Sequence, residues 1–166
     1  MTSRENAYLW RSLRFPKAPG QRAPSAGALA KLIRYSGNDA RHIAIFDASK
    51  FRLSQQKFQM ILAGSKRLEH LEIHGHHEEL NVTTAPSLPC LTRLVLVDCQ
   101  TPRALMGHVA DSLESLHVSI PLLGWSLQGL ADGPPLPKLK YLRLEHPQSS
   151  IVVLVSMLTL SPHIQC

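Results

Sequence analysis

One short pattern of apolar and polar positions returns six times along the chain. Each copy reads apolar, two residues of any kind, apolar, one residue, apolar, and the copies occupy residues 10–15, 40–45, 68–73, 91–96, 113–118 and 139–144. Their central apolar residues are 22 to 30 positions apart. Because the end of each copy alternates, it predicts a short strand with one buried side and one open side.

This spacing and pattern are typical of leucine-rich repeats. Such a repeat cannot bury its apolar side alone, so neighbouring units must stack into a solenoid. We therefore expect an α/β protein: a short leucine-rich-repeat solenoid with parallel strands on the concave face and helices and loops on the convex face. The expected domain is a single array over residues 1–166, with six irregular repeats.

The segments between the strands carry helix and loop signals. Helices are expected to begin after Ser25, after Ser54 and at Thr101-Pro102, since these residue types favour helix starts. Gly64 is placed to end the second of these helices. Residues 76–89 are polar and lack periodicity, which predicts an irregular loop.

Strand alternation also predicts which side chains face a partner. In every copy, the residue between the last two apolar positions and the residues flanking them point to the open side. One flanking column is predicted to consist of Ser12, His42, His70, Arg93, Ser115 and Tyr141. The resulting surface is mixed in charge and includes an apolar patch of Val95 and Val97, which favours a protein or peptide target over a phosphate backbone. The expected partner-binding residues are Glu72, His74, Val95, His117, Tyr141 and Arg143.

Composition narrows the class of protein. The chain is 44% hydrophobic but only 5% aromatic, so its core must be built from aliphatic side chains. The net charge of +6 permits nucleic-acid binding, although the basic residues form no long run. The longest apolar run, residues 151–160, is too short to cross a membrane, and we expect no membrane partner.

The cysteines predict a reduced, intracellular setting, cytoplasmic or nuclear. Cys90, Cys99 and Cys166 give no paired framework for disulfides. Cys99 falls where leucine-rich repeats carry Asn or Cys. Its side chain is therefore expected to turn inward and bond to backbone groups.

The sharpest local group of metal-ligand residue types consists of His74, His76, His77, Glu78 and Glu79. Imidazole and carboxylate groups bind zinc or nickel, but this spacing matches no structural zinc pattern. We expect no metal and no cofactor, and a metal-dependent enzyme at this cluster is an alternative. The sequence has no nucleophile elbow, phosphate-binding glycine loop or zinc-protease motif, so we expect no enzyme.

Three stretches carry a resemblance to a known family. Residues 9–15 begin with Leu-Trp-Arg-Ser-Leu, and related stretches occupy residues 36–43 and 64–71. Together they resemble the leucine-rich-repeat region of fungal-type F-box proteins. The resemblance implies a substrate receptor of a cullin–RING ubiquitin ligase, in which an F-box binds the adaptor subunit and the repeats hold the target.

The chain departs from that plan in one respect. Only eight residues precede Leu9, so we expect no F-box within this chain, and adaptor binding is expected only through that missing segment. Neither end shows an evident polar cap, and we expect an array truncated at both ends. No binding residue is carried over, because targets differ between family members. The alternatives are an unrelated leucine-rich-repeat adaptor or inhibitor scaffold and a basic nucleic-acid-binding protein.

Overall fold

The computed structural model describes residues 11–15, 24–36, 39–46, 54–76, 87–99, 103–119 and 133–145, with single residues 155, 158, 159, 161, 163 and 164. In these ranges the strands are β1 (Ser12–Phe15), β2 (His42–Ile45), β3 (His70–His76), β4 (Arg93–Cys99), β5 (Ser115–Ser119) and β6 (Tyr141–Glu145). The helices are α1 (Ala26–Tyr35), α2 (Gln55–Ala63) and α3 (Arg103–Val109).

The strands of the described ranges form one six-stranded sheet in which all neighbours are parallel. They follow one another across the sheet in chain order, from β1 to β6. Leu71 is aligned with Leu94, Leu94 with Leu116, and Leu116 with Leu142. The predicted side-by-side alignment of the recurring phrase is therefore confirmed, and the protein is of the α/β class.

One side of the sheet is apolar and buried. Alternate strand residues point to this side and are almost inaccessible, among them Leu13, Phe15, Ile43, Ile45, Leu71, Ile73, Leu94, Leu96, Leu116 and Val118. They pack in one cluster with Leu29 of α1, Phe58 of α2 and Leu105 of α3. Burying a large aliphatic side chain is worth about 1.5–3 kcal/mol, so this shared interior is what holds the strands together.

The same backbone hydrogen bonds recur at the start of neighbouring strands. One carbonyl oxygen just before a strand accepts from two successive N–H groups at the start of the next strand, at 2.8–3.0 Å. The accepting residues are Arg11, Arg41, Glu69, Thr92 and Glu114. The described units therefore repeat in backbone geometry as well as in sequence.

Helices α1 and α2 begin where the sequence indicates. The Ser25 hydroxyl accepts from the Ala28 N–H at 3.2 Å, and the Ser54 hydroxyl accepts from the Lys57 N–H at 3.4 Å. Each serine thus satisfies a backbone donor that the first turn of the helix leaves without a partner.

The two helices also pack closely against each other. Gly64 caps the end of α2, and a Cβ atom there would lie 2.0 Å from Cγ2 of Ile33 in α1. The approach of the helices therefore requires glycine at this position. Pro102 lies outside the described residues, but α3 follows it as expected, with Leu105 and Val109 fully buried.

Cys99 turns inward at the end of β4, as predicted. Its side chain is buried, and its Sγ lies 3.3 Å from the Ile73 carbonyl oxygen and 3.2 Å from that of Val97. The predicted loop at residues 76–89 is described at residue 76, which ends β3, and at residues 87–89. The rest of that prediction lies outside the described residues.

The other side of the sheet carries mostly polar side chains, and we call it the polar face. Its central column, from β1 to β6, is Arg14, Ala44, Glu72, Val95, His117 and Arg143. One flanking column is Ser12, His42, His70, Arg93, Ser115 and Tyr141, and the other includes His74, Val97, Ser119 and Glu145. These columns are the ones that strand alternation predicts.

Candidate functional site

The six predicted contact residues all lie on the polar face, but they differ in exposure. Tyr141 is 58% exposed, and the side chain of Arg143 is 71% exposed. The side chains of Glu72, His74 and His117 are largely covered yet still reach solvent. The structure thus gives this set an open edge at β6 and a half-buried centre at β3, with His117 of β5 toward the edge.

Val95 departs from the expectation of an exposed apolar patch. It is only 5% exposed, although it does not belong to the apolar core cluster. In the central column it lies between Glu72 and His117, whose longer side chains flank it in register. Val95 is therefore part of the floor of the polar face, and its contact with a partner stays a prediction.

The half-buried centre is organised around the carboxylate of Glu72. Nε2 of His74 lies 2.9 Å from Oε1 of Glu72, and Nε2 of His42 lies 3.5 Å from Oε2. The first separation is that of a hydrogen bond, whereas the second does not have hydrogen-bond geometry among the described atoms. Oε1 of Glu72 thus faces the imidazole of His74 on the same strand, and Oε2 faces the imidazole of His42 on β2.

A third imidazole completes this group. The rings of His42 and His70 stack with centroids 4.2 Å apart and planes only 4° from parallel. Strand pairing places the two residues directly side by side. On its far side, His42 is held by the Ser12 hydroxyl, whose oxygen lies 3.2 Å from Nδ1. His74 in turn contacts the Phe46 ring at a centroid distance of 4.8 Å.

Burial and neighbouring charges fix the protonation of His70. Burial, with smaller contributions from the nearby His42 and Arg93, lowers the pKa of His70 to about 4 against the opposing effect of Glu72. A neutral imidazole at pH 7 has one nitrogen that carries a free lone pair. Nε2 of His70 is buried and has no hydrogen-bond partner in the described structure.

Glu72 responds to the same surroundings in the opposite sense. Burial by itself would raise the pKa of Glu72, but the hydrogen bond with His74 and the proximity of His42 and His70 lower it below the ordinary value. The carboxylate is therefore charged at neutral pH. An anionic oxygen ligand and two imidazoles thus meet in one place.

The edge of the polar face at β5 and β6 has a different chemistry. The Arg143 guanidinium bonds to Oε1 of Glu145, with Nε at 2.6 Å. This hydrogen bond, with a smaller contribution from Ser119, lowers the pKa of Glu145. Nε2 of His117 lies 3.6 Å from Oε2 of the same carboxylate. The result is a fixed ion pair beside an exposed tyrosine.

The predicted metal-ligand cluster and the observed one differ. Of the local cluster, the structure describes His74 and the backbone of residue 76, and residues 77–79 lie outside it. Among the described residues, His42, His70 and Glu72 instead bring three potential ligand atoms within 4.8 Å of one another. His42 and His70 were predicted neighbours in one column of the polar face. The missed signal was that this pair lies beside Glu72 across two strands.

The chain was compared with protein families, curated proteins and solved structures. No protein-family model, curated protein or solved structure matches the chain. In the part of the chain that the structure describes, no helix combines the length and apolar character needed to cross a bilayer.

Proposed function

We propose that this chain is a leucine-rich-repeat solenoid that recognises a protein partner, without catalysis, through the polar face of its sheet. The observation that carries the proposal is a parallel sheet whose six strands repeat in register and carry a mixed polar face. Parallel sheets of other α/β folds are usually covered by helices on both faces. Stacked repeats instead expose one broad strand surface, which commonly serves for binding.

The exposed edge at β6 supplies the principal contacts of this proposal. Tyrosine and arginine are enriched among residues that dominate protein–protein binding, because each combines a large contact area with directional hydrogen bonds. Tyr141 and Arg143 are exposed and lie on one strand, two residues apart. His117, in register with Arg143, extends the same surface toward β3. Glu72 and His74 are contacts of the partly covered centre.

The distribution of charge on this face favours a protein over a nucleic acid. Arg14, Arg93 and Arg143 lie on three different strands, and Glu72 and Glu145 interrupt the positive charge between and beside them. A phosphate backbone is bound best by a continuous basic track. The mixed face instead offers both signs of charge to a shaped surface.

The resemblance to F-box proteins suggests the biological setting. In that setting the chain is the target-binding part of a substrate receptor for a cullin–RING ubiquitin ligase. The related stretches at residues 9–15, 36–43 and 64–71 support this assignment. Contact with the ligase adaptor belongs to an F-box and not to the polar face.

A pair of photo-crosslinking variants tests the binding surface. A photoreactive phenylalanine analogue replaces Tyr141 on the polar face or, as a matched control, Tyr35 on α1, which is 72% exposed. We expect a specific protein partner to be crosslinked from position 141 and not from position 35. With that partner purified, Arg143→Ala should weaken binding at least tenfold, whereas Arg34→Ala on α1 should leave it unchanged.

Equal crosslinking from the two positions, or equal affinity of the two arginine variants, would contradict the proposed surface. The ubiquitin setting has its own test. Fused to an F-box, the chain should promote ubiquitination of the crosslinked partner in a reconstituted ligase, and Arg143→Ala should remove that effect. Binding without ubiquitination would leave the chain as an adaptor or inhibitor scaffold.

A further inference from the structure

We propose that His42, His70 and Glu72 form a binding site for a divalent transition-metal ion of the zinc type. The three residues come from two neighbouring strands and place their potential ligand atoms within 4.8 Å of one another. This site lies on the polar face but does not depend on partner recognition, because the ion binds whether or not a protein covers the surface.

The three potential ligand atoms must move closer together to hold one ion. Around a tetrahedral zinc ion with ligands at about 2.0–2.1 Å, neighbouring ligand atoms are about 3.3 Å apart. Nε2 of His42 already lies 3.5 Å from Oε2 of Glu72. The His42 and His70 rings stack with centroids 4.2 Å apart and nearly parallel planes, so binding one ion requires the two rings to tilt until their nitrogens converge. Such a tilt is a rotation about χ2, which is soft for histidine.

Two ring nitrogens are left in need of a partner. Nε2 of His42 and Nε2 of His70 are both buried and lack a hydrogen-bond partner among the described residues. A buried polar atom without a partner is unfavourable, and a bound cation would supply that partner. Since the unpartnered nitrogen of His42 faces a carboxylate oxygen, a positive charge between the two is favourable.

Second contacts already orient these groups for metal binding. When Nδ1 of His42 donates to the Ser12 hydroxyl at 3.2 Å, Nε2 carries the lone pair that a metal requires. His74 occupies Oε1 of Glu72 at 2.9 Å and leaves Oε2 to face the site. Metal-binding histidines and carboxylates commonly have supporting hydrogen bonds of this kind.

The ligand set selects the class of metal. Two imidazoles and one carboxylate suit zinc, nickel or copper, whereas magnesium and calcium prefer oxygen ligands. Three protein ligands leave at least one coordination position for water or for a donor from a bound molecule. The site therefore resembles an open metal centre more than a closed structural one.

Titration of the full chain with Zn²⁺ tests the site. The protein is purified without a histidine tag, treated with a chelator and titrated at pH 7.5 by calorimetry, with Mg²⁺ as a control ion. We expect one equivalent of Zn²⁺ and no measurable Mg²⁺ binding. His42→Ala and His70→Ala should each raise the dissociation constant at least tenfold, and Co²⁺ should give the visible spectrum of a site with nitrogen ligands.

Matched variants separate this site from other histidines. His117 lies on the same face and also has an unpartnered Nε2, but among the described residues it belongs to no group of metal ligands. The His117→Ala variant should therefore bind Zn²⁺ like the wild type. Glu72→Gln keeps the shape of the side chain, so a tenfold loss of affinity there reports on ligation even if His70→Ala fails to fold.

Two results would overturn the proposal. The first is Zn²⁺ affinity that is unchanged in both His42→Ala and Glu72→Gln. The second is binding that disappears in a His76→Ala/His77→Ala variant while His42→Ala retains it, since the ion would then belong to the local histidine cluster. Neither result affects crosslinking from position 141, so failure of the metal site and failure of the proposed recognition surface are distinguishable.

Discussion

Two glutamates of the polar face, Glu72 on β3 and Glu145 on β6, sit in contrasting surroundings. Both have a lowered pKa, but imidazoles lower it at Glu72 against the effect of burial, whereas a guanidinium lowers it at exposed Glu145. An imidazole can lose its proton or exchange it for a metal ion near neutral pH, and a guanidinium cannot. The surroundings of Glu72 are therefore mainly imidazoles, whereas the principal partner of Glu145 is a guanidinium.

The largest expected effect is on the free energy of unfolding, at the leucines that precede the two glutamates and point to the apolar side of the sheet. Leu71 on β3 is fully buried in the middle of the sheet, whereas Leu144 on β6 is only partly buried. We expect Leu71→Ala to lower the free energy of unfolding by about 3 kcal/mol, because it leaves a cavity. Leu144→Ala should cost about 1–2 kcal/mol, because solvent already reaches that side chain. Urea denaturation followed by circular dichroism measures both values.

Equal losses at Leu71 and Leu144 would mean that β6 is packed as tightly as β3. In that case the exposed edge of the polar face would be as rigid as its centre. The difference in unfolding free energy should appear in the midpoint of the transition, with the denaturant slope unchanged, if both variants unfold in one step.

Strand register was predictable because it is fixed by a period. The recurring phrase places each central leucine, and side-chain alternation then assigns every strand residue to one face. His42 and His70 were therefore predicted as neighbours, and Ser25 and Ser54 as helix caps. A helix cap depends on the type of one residue, and strand register depends on the spacing between repeats. Both can be read directly from the sequence.

Side-chain environment was less predictable, because it depends on residues from several strands at once. Val95 was expected to be open, but the longer side chains of Glu72 and His117 flank it in register. The stacking of His42 on His70 needs particular ring orientations that no spacing specifies. A search for metal ligands close together in sequence likewise favours residues 74–79 over a site assembled from two strands.

A pH titration of stability should sharpen the contrast between the two regions. The pKa of His70 is about 4 in the folded chain and 6.5 by ordinary reference, so the unfolded chain binds more protons between these values. Stability should therefore fall as the pH is lowered from 6.5 to 4, by about 1–2 kcal/mol, since water still reaches part of the ring. The charged groups that act on His70 are His42, Arg93 and Glu72.

Denaturation midpoints measured with a chelator present, from pH 7.5 to 4.5, test this slope. Glu72, with its lowered pKa, loses its contribution to stability mainly below its ordinary value of 4.5, so it adds little to the slope in this window. We expect the His70→Gln variant to show a smaller difference in stability between pH 7.5 and pH 4.5 than the wild type. An unchanged slope in that variant would show that His70 is not the group responsible.

The smallest expected effect compares the glutamates directly. Glu72→Gln keeps the side-chain shape but removes the charge that His42 and His74 face, and it should cost about 1 kcal/mol at pH 7 in metal-free buffer. Glu145→Gln should give a change too small to separate from error, because exposed ion pairs contribute little. Added salt should leave the effect at Glu72 largely intact, since partly buried charges are screened less than exposed ones.

If the two variants instead lost equal stability and responded equally to salt, the imidazoles around Glu72 would contribute no more than the exposed guanidinium beside Glu145. The centre around Glu72 and the edge around Glu145 would then not differ in energy, even though their geometries differ.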